Sequence, residues 1–402
     1  MSRAILSRRD FARTLTTALG AWALAPRLAR AASPALTLGR PQEVAHSGGV
    51  RIDSNENPYG PSQKALEAMT RSQAVSARYP DTQEDKMAEA LAKLHGVKSE
   101  NVILGCGSGE VLRMADSAFL GPGKSAIAAE PTFEAVLAFA RVTRAEPVKI
   151  PLTPDHRHDL PAMAAACGAQ TGLIYVCNPN NPTGTIVFRE ELGSFFERVP
   201  RSALILVDEA YHHFVEDKRY GSALDWFGKL PNLLVVRTFS KIYGLAGMRL
   251  GYGIGSKETI EAMRPYRTWS NANAAVLEAA MASLEDARHV PDTRSRMNGT
   301  RRWLCSEMEK EGRSVIPSEA NFVMIDLGSD VSPVIAALRE RGVFVGRKFP
   351  SLPNWLRVSI GTPEEMKQFA AGLREVLPGQ RKALAATAAR GAMRSPFILG
   401  KA

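Results

Sequence analysis

The chain has 402 residues, of which 45% are hydrophobic and 23% are charged, ordinary values for a globular protein with a large and a smaller domain. Its net charge of +10 lies at the two ends, because residues 1–31 hold six arginines and Asp10, and residues 379–402 hold five basic residues and no acid. The body between them is close to neutral, which argues against nucleic acid as a partner.

Residues 1–31 predict a targeting segment rather than folded structure. The pair Arg8 and Arg9 precedes a short apolar stretch, residues 14–25, and the small-x-small cleavage sequence Ala29-Arg30-Ala31. That stretch is too short to span a bilayer stably, and no other segment predicts a span. "SRRDFAR" resembles the twin-arginine signal, so we expect the twin-arginine export machinery as a partner and a periplasmic or otherwise exported protein. A disordered basic start or an uncleaved anchor is the alternative; with the signal unused, the protein is cytoplasmic.

Residues 32–71 predict an N-terminal arm that contributes to a smaller domain, and residues 72–288 predict the large domain. A helical pattern begins at about Asp85. Five short apolar runs then alternate with helix-like segments: "NVILG", "SAIAAE", "GLIYVCN", "SALILVDEA" and "NLLVVRTFS". Nearly continuous apolar strands separated by helices predict an α/β fold whose mainly parallel sheet is covered on both faces.

From about residue 289 the pattern changes, and "NFVMIDL", "SPVIAALRERG", "WLRVSIG" and "PEEMKQFAAGLREVL" predict a smaller α/β domain over residues 289–378. Residues 379–402 form a basic, alanine-rich tail without a predicted role. The four cysteines show no close pairing and no metal-ligand spacing, so the sequence predicts no metal site and requires no disulfide.

Lys241 stands at the end of a predicted buried strand, in "RTFSKIYGLAGMRLGY". Burial lowers the pKa of a lysine and so favours the neutral amine that forms a Schiff base with an aldehyde. A single lysine is more often a surface residue in a salt bridge. Here, however, Thr238, Ser240 and Arg249 supply hydroxyls and a guanidinium that suit one phosphate group.

Three other predicted strand ends carry complementary groups. Asp208 in "LILVDEAY" is either a helix N-cap or a carboxylate held against a protonated ring nitrogen. Asn181 in "YVCNPNNPTGT" is either a turn residue or a donor to a phenolate oxygen. Gly107, Ser108 and Gly109 in "ILGCGSGEVLRMA" form either an ordinary turn or a backbone anion site at a helix start. Because ligands bind at the carboxyl ends of parallel strands, we expect these groups to meet.

Six motifs in order resemble the class I/II aminotransferases among the fold-type I pyridoxal-phosphate enzymes, and histidinol-phosphate aminotransferases most of all: "DSNENPYGPS", "ARYPD", "NPNNPTGT", "DEAY", "TFSKIYGLAGMRLGY" and "LRVSIGT". The resemblance spans residues 51–377. It implies a seven-stranded, mainly parallel sheet between helices, pyridoxal 5′-phosphate as cofactor, and a homodimer. The reaction it implies moves an amino group from an amino acid or a histidinol-phosphate-like amino phosphate to a 2-oxo acid such as 2-oxoglutarate.

The resemblance also implies a role for each matching position. Lys241 would bind the cofactor covalently and transfer protons, while Asp208 would pair with the ring nitrogen of the cofactor. Asn181 and Tyr211 would hydrogen-bond the ring hydroxyl oxygen, and Phe133 would stack on the ring. The cofactor phosphate would be held by Gly107, Ser108, Gly109, Thr238, Ser240 and Arg249.

Substrate and subunit contacts follow from the same resemblance. Tyr79 in "ARYPD" would reach the phosphate bound in the neighbouring subunit. Arg357 in "WLRVSIGT" matches the arginine that binds the substrate anion, with Asn181 beside the substrate and Arg347 as a weaker candidate for the same anion. A buried ion pair is the alternative for Arg357, since an arginine on an apolar strand is costly unless it is paired.

Three other functions compete with amino transfer. A decarboxylase or β-lyase would use the same cofactor site, and the sequence separates these reactions poorly. A non-catalytic cofactor-binding protein is disfavoured because Lys241 is retained, and a dehydrogenase because "GCGSGE" does not match the dinucleotide fingerprint G-x-G-x-x-G. Export would also be unusual for histidine biosynthesis, which belongs in the cytoplasm, so the motifs specify the reaction type better than the substrate.

Overall fold

The computed structural model describes residues 49–377. The predicted signal segment, most of the N-terminal arm and the predicted basic tail lie outside the described residues. Within residues 49–377, no helix is long and apolar enough to cross a bilayer.

The strands of the described chain, in order, are β1 (Val50–Ile52), β2 (Val102–Gly105), β3 (Ser125–Glu130), β4 (Glu146–Pro151), β5 (Thr171–Cys177), β6 (Leu204–Asp208), β7 (Leu233–Thr238), β8 (Gly251–Gly255), β9 (Phe322–Asp326), β10 (Val343–Val345) and β11 (Trp355–Ser359). The α-helices are α1 (Gln63–Ser72), α2 (Asp81–His95), α3 (Ser108–Phe119), α4 (Ala135–Val142), α5 (Leu160–Ala165), α6 (Arg189–Arg198), α7 (Lys257–Met263), α8 (Ala274–Leu284), α9 (His289–Lys310), α10 (Ser332–Glu340) and α11 (Pro363–Val376). Short 3₁₀ turns, such as Ala246–Met248, lie between some of them.

The central sheet has seven strands in the order β2-β8-β7-β6-β5-β3-β4. Neighbouring strands run parallel except on the two sides of β8. Alternate residues of β5 and β6 point into two separate hydrophobic clusters, one packed with α3, α4 and α7 and the other with α5 and α6. The predicted α/β fold with a mainly parallel sheet between helices is therefore confirmed.

Two strands and one helix boundary carried weaker signals in the sequence. The five predicted apolar runs form β2, β3, β5, β6 and β7, whereas β4 is a half-exposed edge strand with two prolines. β8 has glycine at alternate positions, and a Cβ at Gly251 would lie 2.2 Å from the backbone nitrogen of Ser108. Helix α2 begins at Asp81 rather than near Asp85, because its first turn is polar and lacks the apolar spacing.

A smaller group of elements packs beside the sheet. Strands β9 and β11 pair antiparallel, and β1 pairs parallel with β10, Val50 lying opposite Val343. These strands share one hydrophobic cluster with residues of α1, α2 and α8–α11. The start of the described chain is thus joined to the C-terminal elements. The division into domains at residues 72, 289 and 378 stays a prediction.

A buried ion pair lies behind the carboxyl end of β6. Glu209, fully buried, accepts hydrogen bonds from Arg237 Nη2 at 2.8 Å and Nε at 3.0 Å, and from the backbone nitrogen of Ala223 at 2.7 Å. Ser222 donates to the same carboxylate. The Glu209 carboxylate is therefore neutralised and hydrogen-bonded inside the fold. The preceding residue, Asp208, has other hydrogen-bond partners.

We expect Glu209→Ala to reduce the free energy of unfolding by about 3–5 kcal/mol, because it leaves the buried Arg237 guanidinium without its counter-charge. Urea-induced unfolding followed by tryptophan fluorescence measures the change. Asp217→Ala is the matched control, since it breaks a pair with the exposed Arg219 and should leave stability almost unchanged. Equal unfolding midpoints for the two variants would contradict this expectation.

Candidate active site

The candidate site lies at the carboxyl edge of the central sheet. Strands β5, β6 and β7 are parallel neighbours there, and Asp208 at the end of β6 is in register with Cys177 of β5 and Val236 of β7. The segments that follow these strands therefore leave the sheet side by side, as expected for parallel strands. They bring Asn181, Tyr211 and Lys241 together.

Lys241 follows β7, and its half-buried side chain points at the N-terminal segment. Its Nζ donates to the backbone oxygen of Asn55 at 3.1 Å and lies 5.6 Å from the centre of the Tyr211 ring. Burial, together with the positive charge of Arg357, lowers the pKa of Lys241 to about 8. A substantial fraction of the amine is therefore neutral at mildly alkaline pH.

Asp208 is buried at the end of β6. Its Oδ2 accepts a hydrogen bond from the Tyr175 hydroxyl at 2.9 Å, and its Oδ1 accepts one from the Ala210 backbone nitrogen at 3.0 Å. Burial raises the pKa of Asp208 to about 6, against the lowering effects of these hydrogen bonds and of the charge on Lys241. The charged form of such a buried carboxylate is stabilised by a cationic partner, for example a protonated ring nitrogen.

Tyr211 is the centre of a chain of polar contacts. Its hydroxyl oxygen accepts from Asn55 Nδ2 at 3.2 Å and from Asn181 Nδ2 at 3.5 Å. Asn181 Oδ1 in turn accepts from Arg357 Nη1 at 2.9 Å. Burial raises the pKa of Tyr211, so its hydroxyl keeps its proton at neutral pH. The chain connects the ring-oxygen donors predicted from the sequence with the predicted substrate arginine.

A second cluster of donors lies where β2 and β7 end. Arg249 Nη1 donates to Ser240 Oγ at 3.3 Å, and Thr238 Oγ1 accepts from the Ser240 backbone nitrogen at 3.0 Å. The Arg249 guanidinium lies against Gly107, whose φ is +77° and where a Cβ would stand 2.0 Å from Arg249 Nη2. Helix α3 starts at the next residue, Ser108, so its N-terminal backbone N–H groups, including that of Gly109, belong to the same cluster.

This donor set fits pyridoxal 5′-phosphate. Two hydroxyls, a guanidinium and a helix N-terminus suit the phosphate group. A buried carboxylate, Asp208, suits the ring nitrogen, and the amine of Lys241 suits the aldehyde. The glycine at position 107 also lets the Arg249 guanidinium lie against the backbone, where any side chain would clash with it. These are the residues that could hold the cofactor.

Three predicted site residues lie apart from this hydrogen-bonded group. Phe133 follows β3 and is 39% exposed, and Tyr79 precedes α2 and is 84% exposed. Among the described residues, no hydrogen bond or ring contact joins either of them to Lys241 or Asp208. Arg347 follows β10 and forms an exposed ion pair with Glu134 at 2.6 Å.

The sequence reasoning missed several residues that hold the group together. Asn55 contacts Tyr211, Lys241 and Ser359, and Tyr175 supports Asp208. Two signals could have found them. Asn55 has a φ of +53°, a conformation that asparagine tolerates, and Tyr175 is a hydroxyl-bearing residue inside an otherwise apolar strand.

Comparison with known proteins gives concordant matches. The family "Aminotransferase class I and II" matches residues 47–373. The histidinol-phosphate aminotransferase of Moorella thermoacetica is 40% identical over 331 residues, covering 82% of this chain and 85% of that protein. The histidinol-phosphate aminotransferase of Brevibacillus brevis is 37% identical over 334 residues, covering 83% and 92%. The crystal structure of histidinol-phosphate aminotransferase from Sinorhizobium meliloti in complex with pyridoxal-5′-phosphate has a TM-score of 0.78 and 27% identity, covering 82% and 91%.

The low pKa of Lys241 predicts a pH profile. We expect the rate at which its amine reacts with an aldehyde to rise with pH up to about 8 and then level off, because only the neutral amine reacts. Arg357→Gln removes a positive neighbour, so the pKa of Lys241 should rise and the profile should move to higher pH. Borohydride trapping of pyridoxal 5′-phosphate on the apoenzyme, with mass spectrometry of the Lys241 peptide, gives the profile. An unchanged profile in Arg357→Gln would refute the electrostatic explanation.

Proposed function

Because the chain belongs to the aminotransferase class I and II family and is a pyridoxal-phosphate-dependent aminotransferase, we propose that it moves an amino group between a donor anchored at Arg357 and a 2-oxo acid such as 2-oxoglutarate. The donor is an amino acid or an amino phosphate of the histidinol-phosphate kind, which the names of the similar proteins suggest. The observation that carries the proposal is the unbroken series of contacts from Asn55 through Tyr211 and Asn181 to Arg357, beside the Lys241 amine.

The cofactor is held in this proposal by residues at its two ends. Arg249, Ser240 and Thr238, with the start of α3 at Ser108, bind the phosphate group. Asp208 would keep a proton on the ring nitrogen, and pyridoxal 5′-phosphate, when bound, would supply an electron sink for loss of a proton from the substrate Cα.

The chain's own residues perform the remaining steps. The amine of Lys241, with a pKa of about 8, accepts the proton from Cα and returns it during the transfer. The Asn55 backbone oxygen, 3.1 Å from Nζ, orients that amine. Arg357 binds the anionic group of the substrate and so fixes the position of Cα. The same residues serve the second half-reaction, in which a 2-oxo acid takes up the amino group.

We expect Lys241→Ala to abolish both the visible absorbance of the bound cofactor and transamination, because no other amine is placed beside Asp208 and Tyr211 in the described chain. Absorbance spectra of the purified protein and an assay of amino donors with 2-oxoglutarate measure the two effects. Lys257→Ala changes an exposed lysine on α7 and is the matched control. Retained transamination in Lys241→Ala would disprove the assignment, and carbon dioxide or pyruvate release without amino transfer would point to a decarboxylase or β-lyase.

A homodimer is part of the proposal, and an exposed aromatic surface supports it. Tyr79 and Trp269 are 84% and 94% exposed. Ser270 Oγ lies 3.3 Å from Asp81 Oδ1, and Arg267 Nη2 lies 2.5 Å from Glu84 Oε2, so the two segments are bound to each other. Large aromatic groups that are exposed on neighbouring segments are typical of an interface.

We expect Trp269→Glu to convert a dimer to monomers, because it replaces a large exposed aromatic group of the proposed interface with a charge that would have to be buried there. Light scattering coupled to size exclusion measures the mass. Val142→Glu, at another apolar residue that is 62% exposed, is the matched control and should leave the mass unchanged. A wild-type mass equal to one chain would exclude the dimer.

Export through the twin-arginine machinery also remains our proposal for residues 1–31, which lie outside the described residues. Arg8 and Arg9 support it, together with the cleavage sequence that ends at Ala31. The mass of the amino-terminal peptide from the periplasmic fraction tests it. A full-length chain confined to the cytoplasm would contradict export.

A further inference from the structure

Two arginines lie beside a single buried ring in the candidate substrate site. The guanidinium carbon of Arg357 is 5.3 Å from the centre of the Phe349 ring, and that of Arg347 is 4.3 Å from the same centre. The backbone holds them together, because Gly346 N donates to Arg357 O at 3.0 Å. A substrate anion at Arg357 therefore lies within the electrostatic range of Arg347.

The two guanidinium groups have different partners. Arg357 donates to two neutral oxygens, Asn181 Oδ1 at 2.9 Å and Asp53 O at 2.8 Å, and its buried Nε has no hydrogen-bond partner among the described residues. The carboxylate of Asp53 is itself near a cation, with its Oδ1 3.8 Å from Arg51 Nη2. The hydrogen-bond partners of Arg357 therefore do not neutralise its positive charge, which remains available to a ligand anion.

Arg347, in contrast, already has a carboxylate partner. Its Nη2 lies 2.6 Å from Glu134 Oε2. Glu134 follows Phe133 on the turn that leads into α4, so this carboxylate comes from the large sheet's side of the site. Its charge also reaches Arg357, where burial lowers the pKa and the charges of Asp53 and Glu134 act in the opposite direction.

We propose that Glu134 makes the substrate-anion site selective for a carboxylate over a phosphate ester. This inference rests on the proposed function, in which Arg357 binds the substrate anion. A carboxylate brings one negative charge, which Arg357 can match. A phosphate ester brings nearly two charges at neutral pH and needs a second cation. Arg347 can supply it only by leaving Glu134, whose charge then repels the phosphate.

The size of the selectivity follows from the exposure of the pair. Arg347 and Glu134 side chains are 46% and 62% exposed, so water screens their interaction and the pair itself opens easily. What remains is the repulsion between the Glu134 carboxylate and the second charge of a phosphate. At the distances of a partly solvated site, that repulsion corresponds to a change of about threefold to tenfold in affinity.

The test compares Glu134→Gln with Asp330→Asn in the holoenzyme. Asp330 pairs with Lys348, the residue after Arg347, so Asp330→Asn also removes one negative charge near this loop but leaves the Glu134 pair intact. Calorimetry with methyl phosphate and with acetate gives the two dissociation constants. Turnover of histidinol phosphate and of histidine gives a second comparison, because both donors carry the same imidazolylmethyl side chain, whereas one ends in a phosphate ester and the other in a carboxylate.

We expect Glu134→Gln to lower the dissociation constant of methyl phosphate about threefold to tenfold and that of acetate less than twofold. The ratio of kcat/KM for histidinol phosphate to that for histidine should rise by a similar factor. Asp330→Asn should change neither ratio. Equal tightening of both anions in Glu134→Gln, or the same selectivity change in Asp330→Asn, would overturn the inference. A holoenzyme that shows the expected anion selectivity but transfers no amino group would support the inference and refute the proposed function.

Discussion

Asn55 joins four segments that are far apart in the sequence, and the site depends on this junction. Its backbone oxygen accepts from Lys241 Nζ and from Asn321 Nδ2, and its backbone nitrogen donates to Ser359 Oγ at 2.7 Å. Its side chain bonds Ser359 again and donates to Tyr211. One residue thereby positions the amine and the phenol and attaches both to β11 and to Asn321, the residue before β9. Replacing a buried amide whose polar atoms are all hydrogen-bonded leaves its partners unsatisfied, which is costly.

Charge in the site is arranged around that junction. Asp208 lies at the end of β6, Lys241 stands beside Tyr211, and Arg357 lies beyond Asn181. Burial makes each charge costly, so each pKa depends on its neighbours, and Arg357 helps to keep the Lys241 amine partly neutral. The same arginine that would bind the substrate therefore tunes the residue that would move its proton. Glu134 adds a negative charge at the outer edge of this arrangement.

Much of the fold follows from local patterns. The apolar runs that end in Asp208 and Thr238 predict buried parallel strands, and they form β6 and β7. Strand β8 is not predicted by local patterns, because its alternating glycines give no hydrophobic signal. The absence of a side chain at Gly251 instead allows the Ser108 backbone to approach closely. Strand β4 is also not predicted, because it lies at the sheet edge and its half-exposed residues do not form a continuous apolar run.

The sequence by itself determined which chemical groups stand at the strand ends: an amine at Lys241, a carboxylate at Asp208, an amide at Asn181 and a glycine turn at Gly107. Turn residues and hydrophobic periodicity are local properties, so they are readable along the chain. Only the tertiary structure decided that Asn55 meets Tyr211, and that Glu134 meets Arg347. These partners are separated by more than a hundred residues, and their contact depends on how whole elements pack, which no local pattern encodes.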